Sequence, residues 1–296
     1  MVRPESADEV SKYAMRTLRA ADALGKLPTP MDDLLAAAKI GNLQIDEEAK
    51  ENFSARLIGA AKNEFNLMWE RIRGIADLRK RIIYVDENTT RPRILFAKGH
   101  ELGHEVLSWH YLDPGRFDDE KSLTEEAEEI FDMEAIFFSA EVIFPGGNFT
   151  RLVRDYNVGF DSIFHLADMH GASRHATAWR YVEEQDESVA LVIYWPSRFN
   201  SEILRRGKVV ASPNFLLNFG DIDLPEQLDP GHSWMAAQAS NLVFGDMISL
   251  TCGNVAFRFE WEAWWNGYGL LVMLRRKPKL HFVRDLVDKV TIASSS

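Results

Sequence analysis

Residues 97–109 read AKGHELGHEVLSW, and within them His100, Glu101 and His104 spell H-E-x-x-H. On an α-helix, His100 and His104 stand one turn apart on the same face. Two imidazoles so placed can hold one zinc ion, and Glu101 beside the first can reach a water on that metal. The flanking residues Phe96, Ala97, Leu102, Val106 and Leu107 give such a helix a buried face. Just upstream, Ile82, Ile83, Tyr84 and Val85 form a short β-rich run, closed by a polar turn over Asp86 to Thr90. The pattern therefore predicts a strand, a turn and a helix over 93–109, with the histidines on a rigid element.

Downstream, Asp113-Pro114-Gly115 ends that helix, and the polar residues up to Lys121 read as a loop at the mouth of the site. A long helix over 122–144 follows, with an apolar stripe of Leu123, Ala127, Ile130, Phe131, Phe137, Phe138 and Val142. Glu134 falls on that stripe. A carboxylate on a core-facing stripe is costly unless a charge or a hydrogen bond meets it, and a zinc ion would meet it. His100, His104 and Glu134 then form a two-imidazole, one-carboxylate set with the fourth position open for water, the pattern of a catalytic zinc site. Glu101 is the candidate general base, taking a proton from the water and passing it to the leaving amine of a hydrolysed amide. Glu141 is the reserve third ligand, with a solvated or outer role favoured for it. His110 and Tyr111 are minor candidates for stabilising the oxyanion.

Upstream, the spacing predicts helices over 6–25 and 30–39, the second ended by Gly41-Asn42, and a further helix over 47–68 that reads as an insertion. Pro145-Gly146-Gly147 marks a domain edge. Residues 161–185 read as two short helices around Gly171, with Asp161 and Ser173 as N-caps, in a helix-turn-helix pattern. Arg174, His175 and Arg180 are balanced there by Glu183, Glu184 and Asp186, so a packed helix pair is favoured over a DNA reader, which needs a net basic face. From Val189 the texture changes to strands over 189–195, 208–211, 255–261 and 270–274, with a hairpin signal at Asn266-Gly267 and one helix over 231–241. The expected fold class is α+β in three parts: residues 1–150, a helix-turn-helix segment over 151–187, and an α+β module over 188–296.

The chain has 296 residues, 46% hydrophobic and 27% charged, with a formal net charge of -11. That balance argues against coating nucleic acid wholesale, while leaving room for a local basic patch. A single cysteine, Cys252, excludes an intrachain disulfide framework and fits a reducing compartment. No apolar signal core and no membrane-length apolar run is evident, so a cytoplasmic protein is expected. The bland readings are kept for the rest. Cys252 reads as a small buried core residue, and His165, His170, His175, His232 and His281 as surface or structural. Trp261, Trp264, Trp265 and Tyr268 read as core rather than as a ligand cage.

Taken together, Leu27-Pro28 through Asp46, IRGIADLRKRIIYVDEN over 72–88, HELGHEVLSWH over 100–110 and MEAIFFSAEVIFP over 133–145 resemble the ImmA/IrrE family of bacterial metallopeptidases. The resemblance covers about residues 6–150. It continues through SRHATAWRYVEE over 173–184, which looks like the helix-turn-helix of the IrrE-like branch. The resemblance implies a zincin-like metallopeptidase domain, a helix-turn-helix and a GAF-like C-terminal sensor domain. It also implies Zn2+ as cofactor, His100, His104 and Glu134 as its ligands, and Glu101 as the catalytic glutamate. Family members cleave a helix-turn-helix repressor and so release genes for DNA-damage response, mobile-element transfer or anti-phage defence. Some relatives are suspected of sensing a nucleic-acid effector. Two functional readings follow. One is a zinc-dependent, site-specific endopeptidase acting on a transcriptional repressor. The other is a non-catalytic, metal-containing transcription regulator that binds DNA or a partner. Glu101 favours the first, since a structural metal site needs no general base there.

Overall fold

The computed structural model describes residues 3–45, 74–77, 81–86, 88–111, 121–220, 222–252 and 255–276. The helix expected over 47–68, the loop expected after Tyr111 and His281 lie outside the described residues. The chain has a mixed α+β fold and divides into two compact units, Met1–Arg180 and Tyr181–Ser296. The division falls inside a helix, where the sequence placed edges at 150 and 187.

In the first unit, α1 (Ala7–Ala20) buries Val10, Ala14 and Leu18 along one face. Helix α2 (Met31–Ala37) buries Met31, Leu34 and Leu35. Gly41 does not simply end α2. It opens strand β1 (Gly41–Ile45), which runs parallel to β3 (Ile82–Asp86). Strand β2 (Gly74–Asp77) pairs antiparallel on the other side of β3, giving the order β1-β3-β2. Of these strands only β3 is visible in the sequence pattern. Its buried Ile83 and Val85 alternate with half-buried Ile82 and Tyr84, as a strand covered on one face requires.

Thr90 and Pro92 open helix α3 (Arg91–Val106), with proline in the first turn, where its missing N–H costs nothing. The helix stops at Val106 rather than running to Trp109. Residues Ser108–Tyr111 form a 3-10 turn instead. Helix α4 (Lys121–Ile143) packs against α3. Pro145 then caps α5 (Gly146–Asp155) directly, so the expected domain edge is a tight corner between two helices.

Helices α6 (Phe160–His170) and α7 (Arg174–Glu183) form the helix pair expected around Gly171. Gly171 sits at φ 63° in the left-handed region that glycine tolerates. A Cβ there would lie 3.1 Å from Pro28, so the turn packs closely on Pro28 within the first unit. Ser173 caps α7, its hydroxyl accepting from the Ala176 amide at 3.1 Å. Asp161 is no cap: α6 opens from Gly159, and Asp161 lies in the first turn, where its charge suits the helix dipole.

The second unit is built on a six-stranded antiparallel sheet. Its strands are β4 (Ser188–Pro196), β5 (Leu204–Ala211), β6 (Gln227–Leu228), β7 (Leu242–Cys252), β8 (Val255–Trp265) and β9 (Leu270–Arg276), in the order β6-β5-β4-β9-β8-β7. Between β5 and β6 lies α8 (Pro213–Phe219), capped by Ser212. The expected helix over 231–241 is a 3-10 turn, Ser233–Ala236, followed by the single helical turn α9 (Ala237–Ser240). Trp234, Phe215, Phe259 and Trp261 are buried in one core with the inward residues of β4 and β9. Trp261 is thus core, as expected, with Trp265 partly buried against it and Trp264 buried, while Tyr268 is exposed at the hairpin. Cys252 departs from expectation. It is half-buried, and burial pushes its thiol above the ordinary range, with Arg276 opposing the rise. Among the described residues, no helix is long and apolar enough to cross a membrane.

Candidate metal centre

The geometry of the site starts with two glycines. A Cβ on Gly99 would meet Ser139 Oγ at 2.5 Å, and one on Gly103 would meet Ala135 Cα at 3.1 Å. Glycine costs about 1 kcal/mol in a helix interior relative to alanine. Here it lets the antiparallel helices α3 and α4 approach closely. Ser139 fastens the contact by donating to the Phe96 carbonyl at 3.0 Å. The close approach carries α4 side chains up to the histidines.

His100 is fully buried and Glu101 is 2% exposed. The Nε2 atoms of His100 and His104 lie 3.2 Å apart, and His100 Nε2 lies 3.4 Å from Asp132 Oδ1. One ligand atom from each of His100, His104 and Asp132 falls within 4.8 Å of the others. Two imidazole nitrogens and one carboxylate oxygen form a donor set suited to a divalent transition-metal ion. Asp132 is half-buried beside the rings. These residues fit a metal ion, and Glu101 follows directly on His100 in the same helix.

Glu134 lies outside that group of ligand atoms. It is buried, as its place on the stripe implies, and hydrogen-bond donors of the chain surround it. Trp109 Nε1 donates to its Oε2 at 2.7 Å, His110 Nε2 lies 2.8 Å from the same oxygen, and the Ser6 hydroxyl donates to Oε1. Burial alone would raise its pKa. The hydrogen bonds from His110, Ser6 and Trp109 outweigh burial and hold the carboxyl below its ordinary range. His110, considered at first for the oxyanion, is buried between Glu134 and His104, its Nδ1 3.1 Å from His104 Nδ1. Phe131 stacks on its ring at 4.4 Å. Glu141, the reserve ligand, instead forms an ion pair with Arg180 at 2.7 Å.

The remaining histidines keep local roles. His165 meets Tyr156 at 3.1 Å, and His170 is buried with its Nδ1 2.8 Å from the Leu166 carbonyl. His232 accepts from the Trp234 amide at 3.3 Å. On the helix pair, Arg174 lies 4.3 Å over the Phe164 ring, and Arg180 is engaged by Glu141. Arg174 nevertheless stays exposed to solvent.

Sequence reasoning missed Asp132 because it set the stripe of α4 through Ile130, which is 48% exposed. Another signal was available. Asp132, Ala135 and Ser139 share a face at helical spacing, and the latter two are the small residues that match Gly103 and Gly99.

No family model matches the chain, and no curated protein matches it. Among solved structures, the chain is similar to a Mycobacterium tuberculosis transcriptional regulator, with a TM-score of 0.51 at 14% identity, over 92% of this chain and 80% of that one. At that identity the likeness speaks to the fold.

Proposed function

We propose that the chain is a zinc-dependent, site-specific endopeptidase that cleaves a helix-turn-helix transcriptional repressor and so derepresses stress-response or defence genes. The observation that carries this reading is the meeting of His100, His104 and Asp132, with Glu101 buried on the same helix. The resemblance of HELGH and of the following helix to the ImmA/IrrE family adds the substrate class and the zincin-like and GAF-like domain assignments. In this reading the third ligand is Asp132 in place of Glu134.

A bound zinc ion would supply Lewis acidity and a lowered pKa for water at the open position. The chain's residues do the rest. His100, His104 and Asp132 hold the site together. Glu101 takes the proton from the attacking water at a carboxylate oxygen and delivers it to the amide nitrogen as the peptide bond breaks. Burial around Glu101 keeps bulk water from competing for that proton. The second unit is assigned the part of a sensor, with a nucleic-acid effector as one candidate signal.

A second reading, a non-catalytic metal-containing regulator acting on DNA or a partner, is favoured by the name of the structural neighbour. The acidic Glu183, Glu184 and Asp186 beside the arginines of the helix pair weigh against its DNA form. The test is to incubate the chain and zinc with the product of an adjacent gene for a small helix-turn-helix protein. Cleavage at one bond is expected. It should stop with a chelator and fall by about 10²–10⁴-fold in Glu101→Gln. Cleavage by Glu101→Gln at the wild-type rate would overturn the reading.

A further inference from the structure

His104 faces two ways. Its Nε2 lies 3.2 Å from His100 Nε2, on the side of the metal ligands. Its Nδ1 lies 3.1 Å from Nδ1 of His110, and His110 Nε2 lies 2.8 Å from Glu134 Oε2. The chain of contacts has one direction in the loaded state. For both Nε2 atoms to offer lone pairs to a cation, His104 must carry its proton on Nδ1. His110 Nδ1 must then accept that proton's hydrogen bond, so the proton of neutral His110 sits on Nε2 and points at Glu134. Glu134 is set up to accept it. The indole N–H of Trp109, which can only donate, already points at the same oxygen, and the Ser6 hydroxyl holds the other.

We propose that His110 and Glu134 are positioning residues, which fix the tautomer and ring orientation of His104 through a Glu134–His110–His104 hydrogen-bond chain and thereby tune metal affinity. The proposal rests on the metal-site reading above. It gives the buried carboxylate of Glu134 a task other than ligation. It also explains why a 3-10 turn follows α3 so closely: Ser108–Tyr111 brings both Trp109 and His110 back over the site. Tyr13 of α1 packs edge-on against Trp109 at 5.3 Å and steadies that turn. Outer partners of this kind typically change metal affinity by about 10–100-fold when removed.

The experiment measures the zinc dissociation constant of the full chain by chelator competition, for wild type, His110→Phe, Glu134→Gln and the double variant. The absorption of the cobalt-substituted forms is recorded beside it. His110→Phe keeps a ring to stack on Phe131 while removing both nitrogens, and Glu134→Gln keeps the shape of the acceptor. We expect His110→Phe to weaken zinc by about 10–100-fold and to alter the cobalt spectrum. Glu134→Gln should cost less, and the double variant no more than His110→Phe alone, because both act through His104. Wild-type affinity and an unchanged spectrum in both single variants would overturn the proposal while leaving the site intact. A Glu134→Gln loss larger than that of His110→Phe, and additive with it, would overturn it by making Glu134 a ligand. A wild-type chain that binds no zinc would overturn both the site and the proposal.

Discussion

The two units of the chain are built by opposite economies. In the first, buried polar groups crowd one place: His100, Glu101, His110 and Glu134 are each nearly or fully buried, with Asp132 half-buried at the edge. Such groups are stable only if each finds a partner or a cation. In the second, the core is apolar and aromatic, around Trp234, Phe215, Phe259 and Trp261. Burial is costly in the first unit's polar cluster, whereas in the second unit it holds a sheet together.

That contrast can be tested by damaging each side. The largest expected effect is Trp234→Ala, which empties the centre of the second core. It should cost about 3–5 kcal/mol in a denaturant titration of that unit, while the zinc affinity of the chain is unchanged. A matching fall in zinc affinity would break the comparison by tying the site to the second core.

The smaller effect lies in the first unit and depends on pH. Burial lowers the pKa of His170 from 6.5, although the Leu166 carbonyl opposes the shift. The ring sits against Phe144 and Phe149, with centroids 5.5 and 5.2 Å away. Above 6.5 the ring is neutral in both the folded and unfolded chain, and its contribution is complete. As the pH falls below that, the unfolded chain takes a proton that the native ring refuses, so stability declines toward the folded pKa. His175, also lowered by burial, adds to the same slope. Denaturation midpoints compared on either side of the ordinary histidine pKa should therefore drop less in His170→Gln than in wild type. Equal drops would show that His170 does not contribute.

The contrast also explains what could be read from the sequence. H-E-x-x-H is legible because the chemistry needs fixed residue types at a fixed helical spacing, and α3 obeys it. Strands β4, β8 and β9 are legible because their apolar runs are bounded by turns. Strand β7 is not: its outward residues include Phe244 at 61% and Met247 at 44% exposure, which blurs the alternation. The pattern of α4 points to Glu134 and not to Asp132 for a related reason. An apolar stripe says which face of α4 is dry, but α4 is buried on more than one side near its end, from Glu134 to Ile143. The fitting of Gly99 to Ser139 and Gly103 to Ala135 is a pairwise fact between two helices. His110 reads only as a neighbour in sequence, because the 3-10 turn that folds it back toward His104 leaves no periodic signal.

The central claim is that His100, His104 and Asp132 are the metal ligands, and zinc content measured by elemental analysis tests it most directly. Wild type purified without chelators should carry about one zinc per chain, as a three-ligand site with an open position would. Asp132→Ala should lose that zinc, and Glu134→Ala should retain more of it than Asp132→Ala. A wild-type chain without zinc, or an Asp132→Ala chain that keeps its full complement while Glu134→Ala loses it, would contradict the account.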